Sequence, residues 1–388
     1  MSLATRRPRV VVCGTKFGRI YLAAFAEGSF PFELAGILGR GSQRSLECAR
    51  SYGVPLFTDP GELPPDIDIA CVVVSASVNG GRGADLAQTL MRRGIHVLQE
   101  HPLHEQELAN CLREARRQKV VYHLNTHYVH IEPVRNFITA ARQLLQHQPL
   151  VFVDAACGVQ TAFTLFDILG EVLGGVRPWA FAGPPPQTDE LQAFGVPPQF
   201  CSLDGVVAGV PITLRIQSNL DPGDPDNYVH FMHRIALGTR AGTLTLTATH
   251  GPVVWCPRAH LPADVKHTVT IAESAATHYD LPSATTVGAA TAPVYREILA
   301  SIWPAGVRRA LTELRRAIDG EDNWQRRGQY HLAVSAIWHD ATARIGPLTL
   351  LKQEPPDIPS PEALFPRLGP ALAAGIGHAV TASRGPRG

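Results

Sequence analysis

The chain has 388 residues, 45% of them apolar and 18% charged, a composition typical of a globular protein long enough for two domains. Its 35 Lys and Arg residues nearly balance its 34 Asp and Glu residues, so the formal charge of +1 excludes a general electrostatic attraction to nucleic acid or to an anionic membrane. The 7 cysteines are scattered without a CxxC pair, and no apolar run resembles a signal peptide or a membrane span. We therefore expect a reduced, cytoplasmic protein.

Strand-like and helix-like segments alternate from Arg9 to about Thr126. The apolar runs RVVVCG, FELAGIL, IACVVVSAS, HVLQE and VVYHLN are separated by helix-like segments such as SLECARSYG and GADLAQTLMRRG. This alternation is typical of a parallel sheet with helices on both faces, and the unbroken apolar runs indicate buried strands. The pattern predicts an α/β protein whose N-terminal domain, residues 1–126, is a doubly wound parallel sheet of the Rossmann type.

The remaining chain has a different texture. The segment EPVRNFITAARQLLQ predicts a linking helix, with Pro133 tolerated near its start. Longer alternating segments follow (LVFVDAACGV, DGVVAGVPITLRIQSN, VHFMHRIALGT, AGTLTLTATHGPVVWCP and VKHTVTIAE), and then two amphipathic helical stretches, 294–320 and 324–346. We predict a second, α+β domain over residues 127–351 with a large, mostly antiparallel sheet. Residues 352–388 are rich in Pro, Ala and Gly and are expected to be a loosely held tail.

The first strand runs into a glycine turn in VVVCGTKFGRIY, residues 10–21. A dinucleotide pyrophosphate needs a tight turn and free backbone amides at this place. When Gly18 is aligned with the last glycine of GxGxxG, Cys13 and Thr15 occupy the first two glycine positions, and Gly14 relieves the turn instead. The alternative is an ordinary turn of an α/β fold. The predicted cofactor contacts of this loop are Gly14, Thr15, Lys16, Phe17 and Gly18.

The second strand ends in GILGRGSQRS without the carboxylate that NAD-binding domains usually use for the ribose hydroxyl. Arg40, Ser42 and Arg44 stand there instead, and arginines suit a dianionic 2′-phosphate. We therefore expect NADPH rather than NADH, the alternative being a solvated basic loop. Ser75 follows the strand IACVVV at the sheet edge where ligands collect, and either contacts the cofactor or caps its loop.

Glu100, His101 and Pro102 follow the strand HVLQ. This strand end resembles the Glu-Lys-Pro motif of the glucose-fructose and inositol-type dehydrogenases (Gfo/Idh/MocA), whose Lys touches cofactor and substrate. The resemblance implies that Glu100 and His101 lie beside the cofactor. The Gly-x-His-x-x-Asp pattern of that family is best matched by AFTLFDILG, which keeps Asp167, expected at the start of a helix, but has Thr164 in place of His. Simple polyol oxidation needs a base and is therefore disfavoured.

The KFG loop, the RxSxR cluster, the EHP turn, NTHYVHIEPVRNFI and QTAFTLFDILG occur together in this order. In combination they resemble the thiazolinyl imine reductases of siderophore assembly of the yersiniabactin and pyochelin type. The resemblance implies NADPH-dependent reduction of a thiazoline C=N on an intermediate tethered to a carrier domain of a nonribosomal peptide synthetase. It also implies two candidate proton donors, His101 and Tyr128. Thr164 and Asp167 are candidate substrate residues, the alternative for Asp167 being an acid at a helix N-terminus, where the helix dipole favours it. Reactivity alone does not choose between the donors, since a His near pKa 6.5 and a Tyr near pKa 10 can both donate.

Other functions remain open at this point. One is a sugar or polyol dehydrogenase, and another is a cofactor-sensing binding protein without catalysis. His123, His127 and His130 have helical spacing, but the segment is predicted to be a strand leaving VVYHLN, so we expect no zinc site. An apolar face of the antiparallel sheet would support a homodimer, which we expect by analogy with this architecture.

Overall fold

The structure is a computed structural model that describes residues 6–76, 80–185, 193, 195, 198–225, 227–260 and 280–366. It divides into two compact units, Met1–Asn219 with Val229–Leu348, and Leu220–Tyr228 with Thr349–Gly388. The predicted strand VKHTVTIAE and the last 22 residues of the predicted tail, 367–388, lie outside the described residues. The boundary between domains at residue 126 stays a prediction, because both sheets belong to the larger unit.

A six-stranded parallel sheet forms the N-terminal part of the larger unit, in the order β3-β2-β1-β4-β5-β6. Its strands are β1 (Arg9–Cys13), β2 (Glu33–Leu38), β3 (Leu56–Phe57), β4 (Ile69–Val72), β5 (His96–Glu100) and β6 (Tyr122–Asn125). The helices between them are α1 (Gly18–Ala23), α2 (Gln43–Tyr52), α3 (Gly83–Arg92) and α4 (Glu105–Gln118). β1 and β4 are buried almost throughout, as strands covered by helices on both faces must be. The predicted Rossmann sheet is confirmed.

The second sheet has eight strands in the order β15-β14-β13-β12-β7-β10-β9-β8. Only β7 and β10 pair in parallel, so the predicted, mostly antiparallel sheet is confirmed. Its strands are β7 (Leu150–Gly158), β8 (Trp179–Phe181), β9 (Phe200–Val207), β10 (Val210–Gln217), β12 (His233–Thr239), β13 (Gly242–Leu246), β14 (Val253–Pro257) and β15 (Thr285–Val287). The helices α5 (Glu132–His147) and α6 (Ala162–Leu173) pack against this sheet.

Two long helices near the C-terminal end of the larger unit pack against the parallel sheet, and one of them also contacts the second sheet. A turn of α-helix (Tyr295–Glu297) and a π-helix (Ile298–Ile302) lead directly into α7 (Trp303–Ile318), which packs against α1, β5 and β6. α8 (Trp324–Ile345) packs against α4, α6, β6 and β9, and its Ser335 donates a hydrogen bond to the Leu103 carbonyl. Since α8 contacts elements of both sheets, it holds the carboxyl end of the parallel sheet against α6.

The smaller unit contains Leu220 of β11 (Asn219–Leu220), the strand β16 (Thr349–Leu350), whose next residue, Leu351, donates its amide to the Leu220 carbonyl, and the short helix α9 (Pro361–Leu364). Asp221 accepts hydrogen bonds from the Gln353 and Gly223 amides and so fixes the turn after β11. In the larger unit, among the described residues, no helix is long and apolar enough to cross a membrane, and the same holds for α9.

Candidate active site

The glycine turn after β1 depends on Gly14. Its φ is +94°, and a Cβ there would lie 2.6 Å from the Val73 carbonyl oxygen, so only glycine fits. Its amide donates to the Leu38 carbonyl at the end of β2. Gly18 opens α1, and a Cβ there would make an ordinary 3.5 Å contact with Val12. The turn therefore needs one glycine, which explains how Cys13 can occupy the first position of the expected motif.

The residues between these glycines differ in exposure. Thr15 is buried, Phe17 is half-buried and Lys16 is exposed. Ser75, at the neighbouring end of β4, is exposed, and its carbonyl accepts the Gly83 amide at 2.9 Å. The structure therefore brings the predicted loop and Ser75 to the same edge of the parallel sheet.

The basic cluster after β2 has the donors that an anionic group needs. Arg40 and Arg44 are exposed, and neither takes part in a hydrogen bond or ion pair with any residue that the structure describes. Ser42 caps α2, because its hydroxyl accepts the Ser45 amide at 3.3 Å. Two uncommitted guanidinium groups at the end of a Rossmann strand fit the phosphate of a dinucleotide.

β5 ends at Glu100, whose carboxylate contacts the imidazole ring of the next residue, His101. The His101 Nδ1 atom lies 2.9 Å from Glu100 Oε1 and 3.2 Å from the Asn125 carbonyl oxygen. The other carboxylate oxygen, Oε2, accepts hydrogen bonds from the Tyr21 hydroxyl and from Asn125 Nδ2. Burial raises the pKa of Tyr21 well above its ordinary value, so its hydroxyl stays protonated and donates. The predicted contact of Glu100 with the cofactor stays a prediction, since its oxygens face these three partners.

The chain reverses sharply after β6. His127 has φ 59° and ψ −59°, and the Tyr128 amide donates to the Thr126 carbonyl at 2.6 Å, which together define a strained γ-turn. The prediction that the strand continues through these residues is wrong. β6 ends at Asn125, because the Asn125 side chain accepts the His127 amide and the following residues, Tyr128–His130, form a 3₁₀ turn. The described residues hold no group of three or more potential metal ligands.

The turn sends the His127 and Tyr128 rings to different neighbours. His127 is fully buried between Phe17 and Trp303, with ring centroids 5.7 and 5.4 Å away, and neither of its nitrogens has a hydrogen-bond partner among the described residues. Burial lowers its pKa to about 3, so it is neutral. Tyr128 lies between two other imidazoles, with centroids 6.5 Å from His101 and 5.0 Å from His233. His101 and Tyr128 are therefore close enough to serve one substrate.

The sequence analysis missed His233, on β12. Its Nε2 atom is 2.7 Å from the Thr164 hydroxyl, which itself donates to the Thr161 carbonyl, so His233 must donate through Nε2–H. Its Nδ1 atom lies 3.0 Å from the Thr249 hydroxyl. Burial lowers its pKa to about 3. An imidazole thus lies next to Thr164, although Thr164 replaces the His of the family pattern. Only the pairing of Thr164 with His233, about 70 residues further along the chain, could have indicated this from the sequence.

Asp167 is placed differently from the sequence prediction. α6 begins at Ala162, so Asp167 lies in the second turn and not at the helix start. It is 1% exposed and accepts hydrogen bonds from the Thr126 hydroxyl and, at 2.6 Å, from the Tyr330 hydroxyl. The prediction failed because the helix leaves the 3₁₀ turn Val159–Thr161 without a side-chain cap to mark its start. Asp167 ties β6, α6 and α8 together beneath Tyr128, and the predicted substrate contacts of Thr164 and Asp167 stay predictions.

The site so described belongs to an oxidoreductase. Residues 8–126 match the family model "Oxidoreductase family, NAD-binding Rossmann fold" (GFO_IDH_MocA), and the nicotinamide dinucleotides are the cofactors of that class. Residues 132–256 match the model "Thiazolinyl imine reductase Irp3-like, C-terminal". Residues 8–126 are therefore similar to the NAD-binding domain of the Gfo/Idh/MocA oxidoreductases, and residues 132–256 to an Irp3-like C-terminal domain.

Solved structures share this fold at low sequence identity. UDP-N-acetylglucosamine 3-dehydrogenase GnnA from Acidithiobacillus ferrooxidans is 14% identical with a TM-score of 0.58, over 87% of this chain and 99% of that one. Biliverdin reductase from Synechocystis sp. PCC 6803, in complex with biliverdin and NADP+, is 13% identical with a TM-score of 0.57, over 86% and 99%. A search of curated proteins gave no significant match. At such identities the likeness concerns the fold alone.

Proposed function

We propose that this protein is a thiazolinyl imine reductase that uses NADPH to reduce a thiazoline C=N to a thiazolidine. The observation that carries the proposal is the meeting of His101 and Tyr128, ring centroids 6.5 Å apart, at the carboxyl end of β5. The match of residues 132–256 to the Irp3-like C-terminal model supports the same substrate class. The substrate is then a siderophore intermediate carried by a domain of a nonribosomal peptide synthetase in the cytoplasm.

NADPH would be held by the glycine loop and the basic cluster. The turn at Gly14 would present the amides of Thr15, Phe17 and Gly18 to the pyrophosphate. Arg40, Ser42 and Arg44 would receive the 2′-phosphate. Ser75 lies at the same sheet edge. When bound, the cofactor supplies a hydride for the carbon of the C=N bond.

The chain itself must supply the proton that the ring nitrogen gains. His101 Nε2 takes part in none of the hydrogen bonds of the described residues, while its Nδ1 is committed. His101 therefore has a free position from which to donate to a substrate nitrogen, and Tyr128 is the second candidate. His233 is unsuited to this role, because its ring nitrogens are both bonded and burial lowers its pKa to about 3.

The hydrogen bonds of His233 weigh against a sugar or polyol dehydrogenase. That chemistry needs a general base to take the hydroxyl proton, and in this chain the neighbouring imidazole, His233, is locked as an Nε2–H donor to Thr164. A cofactor sensor without catalysis remains a distinguishable rival. It would bind NADPH and turn over neither an imine nor a sugar.

We also propose a homodimer formed through the open face of the second sheet. Val151 and Phe152 on β7 are 47% and 43% exposed, beside an open groove of about 630 Å³ that also includes Asp154 and Arg215. Exposed apolar side chains on a sheet face are typical of an interface. Sedimentation of the wild type and of Phe152→Lys tests this: a dimer and a monomer are expected, and a monomeric wild type contradicts it.

The reaction class is tested by following NADPH absorbance with a synthetic aryl-thiazolinyl-thiazoline, and with sugars as the comparison. We expect NADPH oxidation with the imine and no NADP+ reduction with sugars. Sugar oxidation would support a dehydrogenase, and cofactor binding without turnover, also with a carrier-tethered thiazoline, would support the sensor.

The cofactor preference has its own test. Because two guanidinium groups would contact the 2′-phosphate, Arg40→Ala with Arg44→Ala should weaken NADPH binding by about 10- to 100-fold and NADH binding by much less. Isothermal titration with each cofactor measures the difference. Arg50→Ala, at the far end of α2, is the matched control. Equal losses for NADPH and NADH would refute the assignment.

A further inference from the structure

The two polar atoms beside His101 Nδ1 are both acceptors. Glu100 Oε1 lies 2.9 Å away and the Asn125 carbonyl oxygen 3.2 Å away, and neither can donate when the carboxylate is ionised. The hydrogen must therefore reside on Nδ1 whether the ring is neutral or protonated. It follows that only Nε2 can gain or lose a proton in this environment.

The carboxylate is itself held in place. Its Oε2 atom accepts from the Tyr21 hydroxyl on α1 and from Asn125 Nδ2 on β6, and Asn125 Nδ2 also bonds the Tyr21 oxygen. Tyr21 and Asn125 are both fully buried, and the Glu100 side chain is 12% exposed. Elements on both sides of β5 therefore fix the acceptor that His101 meets, as supporting residues do for histidines with a defined tautomer.

Few other ionisable groups face His101. Tyr128, on the 3₁₀ turn, is one of them. The other three are histidines: His127 before that turn, His233 on β12 and His331 on α8. Burial lowers the pKa of His127 and His233 to about 3 and that of His331 to about 4, so all three are neutral at pH 7. Among these groups the Glu100 carboxylate is the one that contacts a ring nitrogen of His101, at 2.9 Å.

We propose that Glu100, oriented by Tyr21 and Asn125, is a positioning residue that keeps His101 in the Nδ1–H tautomer and so directs its acidic proton to Nε2. The inference rests on the proposed imine reduction. As hydride reaches the carbon, the Nε2–H bond breaks and the substrate nitrogen takes its proton. His101 is left neutral with Nδ1–H, and water reprotonates it at Nε2 through the 9% of its side chain that is exposed.

The first arm of the test is kinetic. Glu100→Gln should lower kcat for the synthetic imine at least about 10-fold, and Tyr21→Phe by a smaller factor, with the NADPH dissociation constant within about 2-fold of wild type. Tyr122→Phe is the matched control. It removes another buried hydroxyl, which donates to Gln99 on the same strand as Glu100, and it should leave kcat unchanged.

The second arm does not require turnover. Nitrogen-15 NMR of the histidine-labelled full chain, with the His101 signals assigned from a His101→Asn spectrum, should show the Nδ1–H tautomer in wild type and Tyr122→Phe and a mixture in Glu100→Gln. An Nε2–H tautomer in wild type, or wild-type kcat in Glu100→Gln across the pH range, would overturn the proposal. If imine reduction itself fails, the NMR result still decides the tautomer.

Discussion

Two histidines on either side of Tyr128 show how surroundings decide what an imidazole can do. His101 has one nitrogen held by Glu100 and Asn125 and the other uncommitted, with 9% of the side chain exposed. His233 is fully buried and hydrogen-bonded at both nitrogens, and burial lowers its pKa to about 3. The same side chain is thus suited to proton transfer at one position and to support at the other.

The largest expected effect is the loss of activity when the proton donor is removed. Because general acid catalysis is worth about 10²- to 10⁴-fold, His101→Ala or Tyr128→Phe, whichever removes the donor, should lower kcat by at least about 10²-fold. Steady-state kinetics with NADPH and the synthetic imine measures it, with cofactor binding checked by titration. Near-wild-type turnover in both variants would show that neither side chain is the acid.

The supporting role of His233 predicts a loss of stability. His233→Leu leaves the buried Thr164 oxygen without its donor and the buried Thr249 hydroxyl without its acceptor, so we expect the free energy of unfolding to fall by about 2 to 3 kcal/mol at pH 7. Denaturant titration measures this, with His101→Ala as the comparison. A loss below about 0.5 kcal/mol would mean that the bonds of His233 contribute no net support.

The buried histidines should make the protein less stable as the pH falls. The unfolded chain binds a proton at His233 below about pH 6.5, whereas the native protein does so only near the lowered pKa of about 3, so stability falls as pH drops between these values. At pH 5 the loss for one such group is about 2 kcal/mol. His233→Leu should therefore show a smaller difference between pH 7 and pH 5 than the wild type. The same pH dependence in both proteins would contradict a neutral, buried His233.

The smallest effect at neutral pH is expected at His127, which is as buried as His233 but whose ring nitrogens bond no residue in the part of the chain that the structure describes. Replacing an unpartnered polar ring by an apolar side chain leaves nothing unsatisfied, so His127→Leu should change the free energy of unfolding by less than about 1 kcal/mol at pH 7. Denaturant titration beside His233→Leu makes the comparison direct. A loss as large as that of His233→Leu would show that His127 has a structural partner.

The sequence predicts most of the fold, because buried parallel strands are continuous apolar runs and the helix-like segments SLECARSYG and GADLAQTLMRRG coincide with α2 and α3. It also predicts the turn at Gly14, where backbone geometry demands glycine. It does not predict the Tyr21 and Asn125 contacts of Glu100 or the pairing of His233 with Thr164. These contacts join side chains about 25 to 104 residues apart, and local periodicity carries no information about them. The sequence also does not predict the start of α6, because no capping side chain marks it locally.

The central claim is hydride transfer from NADPH to the carbon of a thiazoline C=N. The most direct measurement is to incubate the protein with NADPH deuterated at the transferable position of the nicotinamide and with the synthetic aryl-thiazolinyl-thiazoline, and to analyse the product by mass spectrometry and NMR. We expect a thiazolidine with one deuterium on the ring carbon between nitrogen and sulfur. NADPH oxidation that leaves no deuterium at that carbon would contradict it.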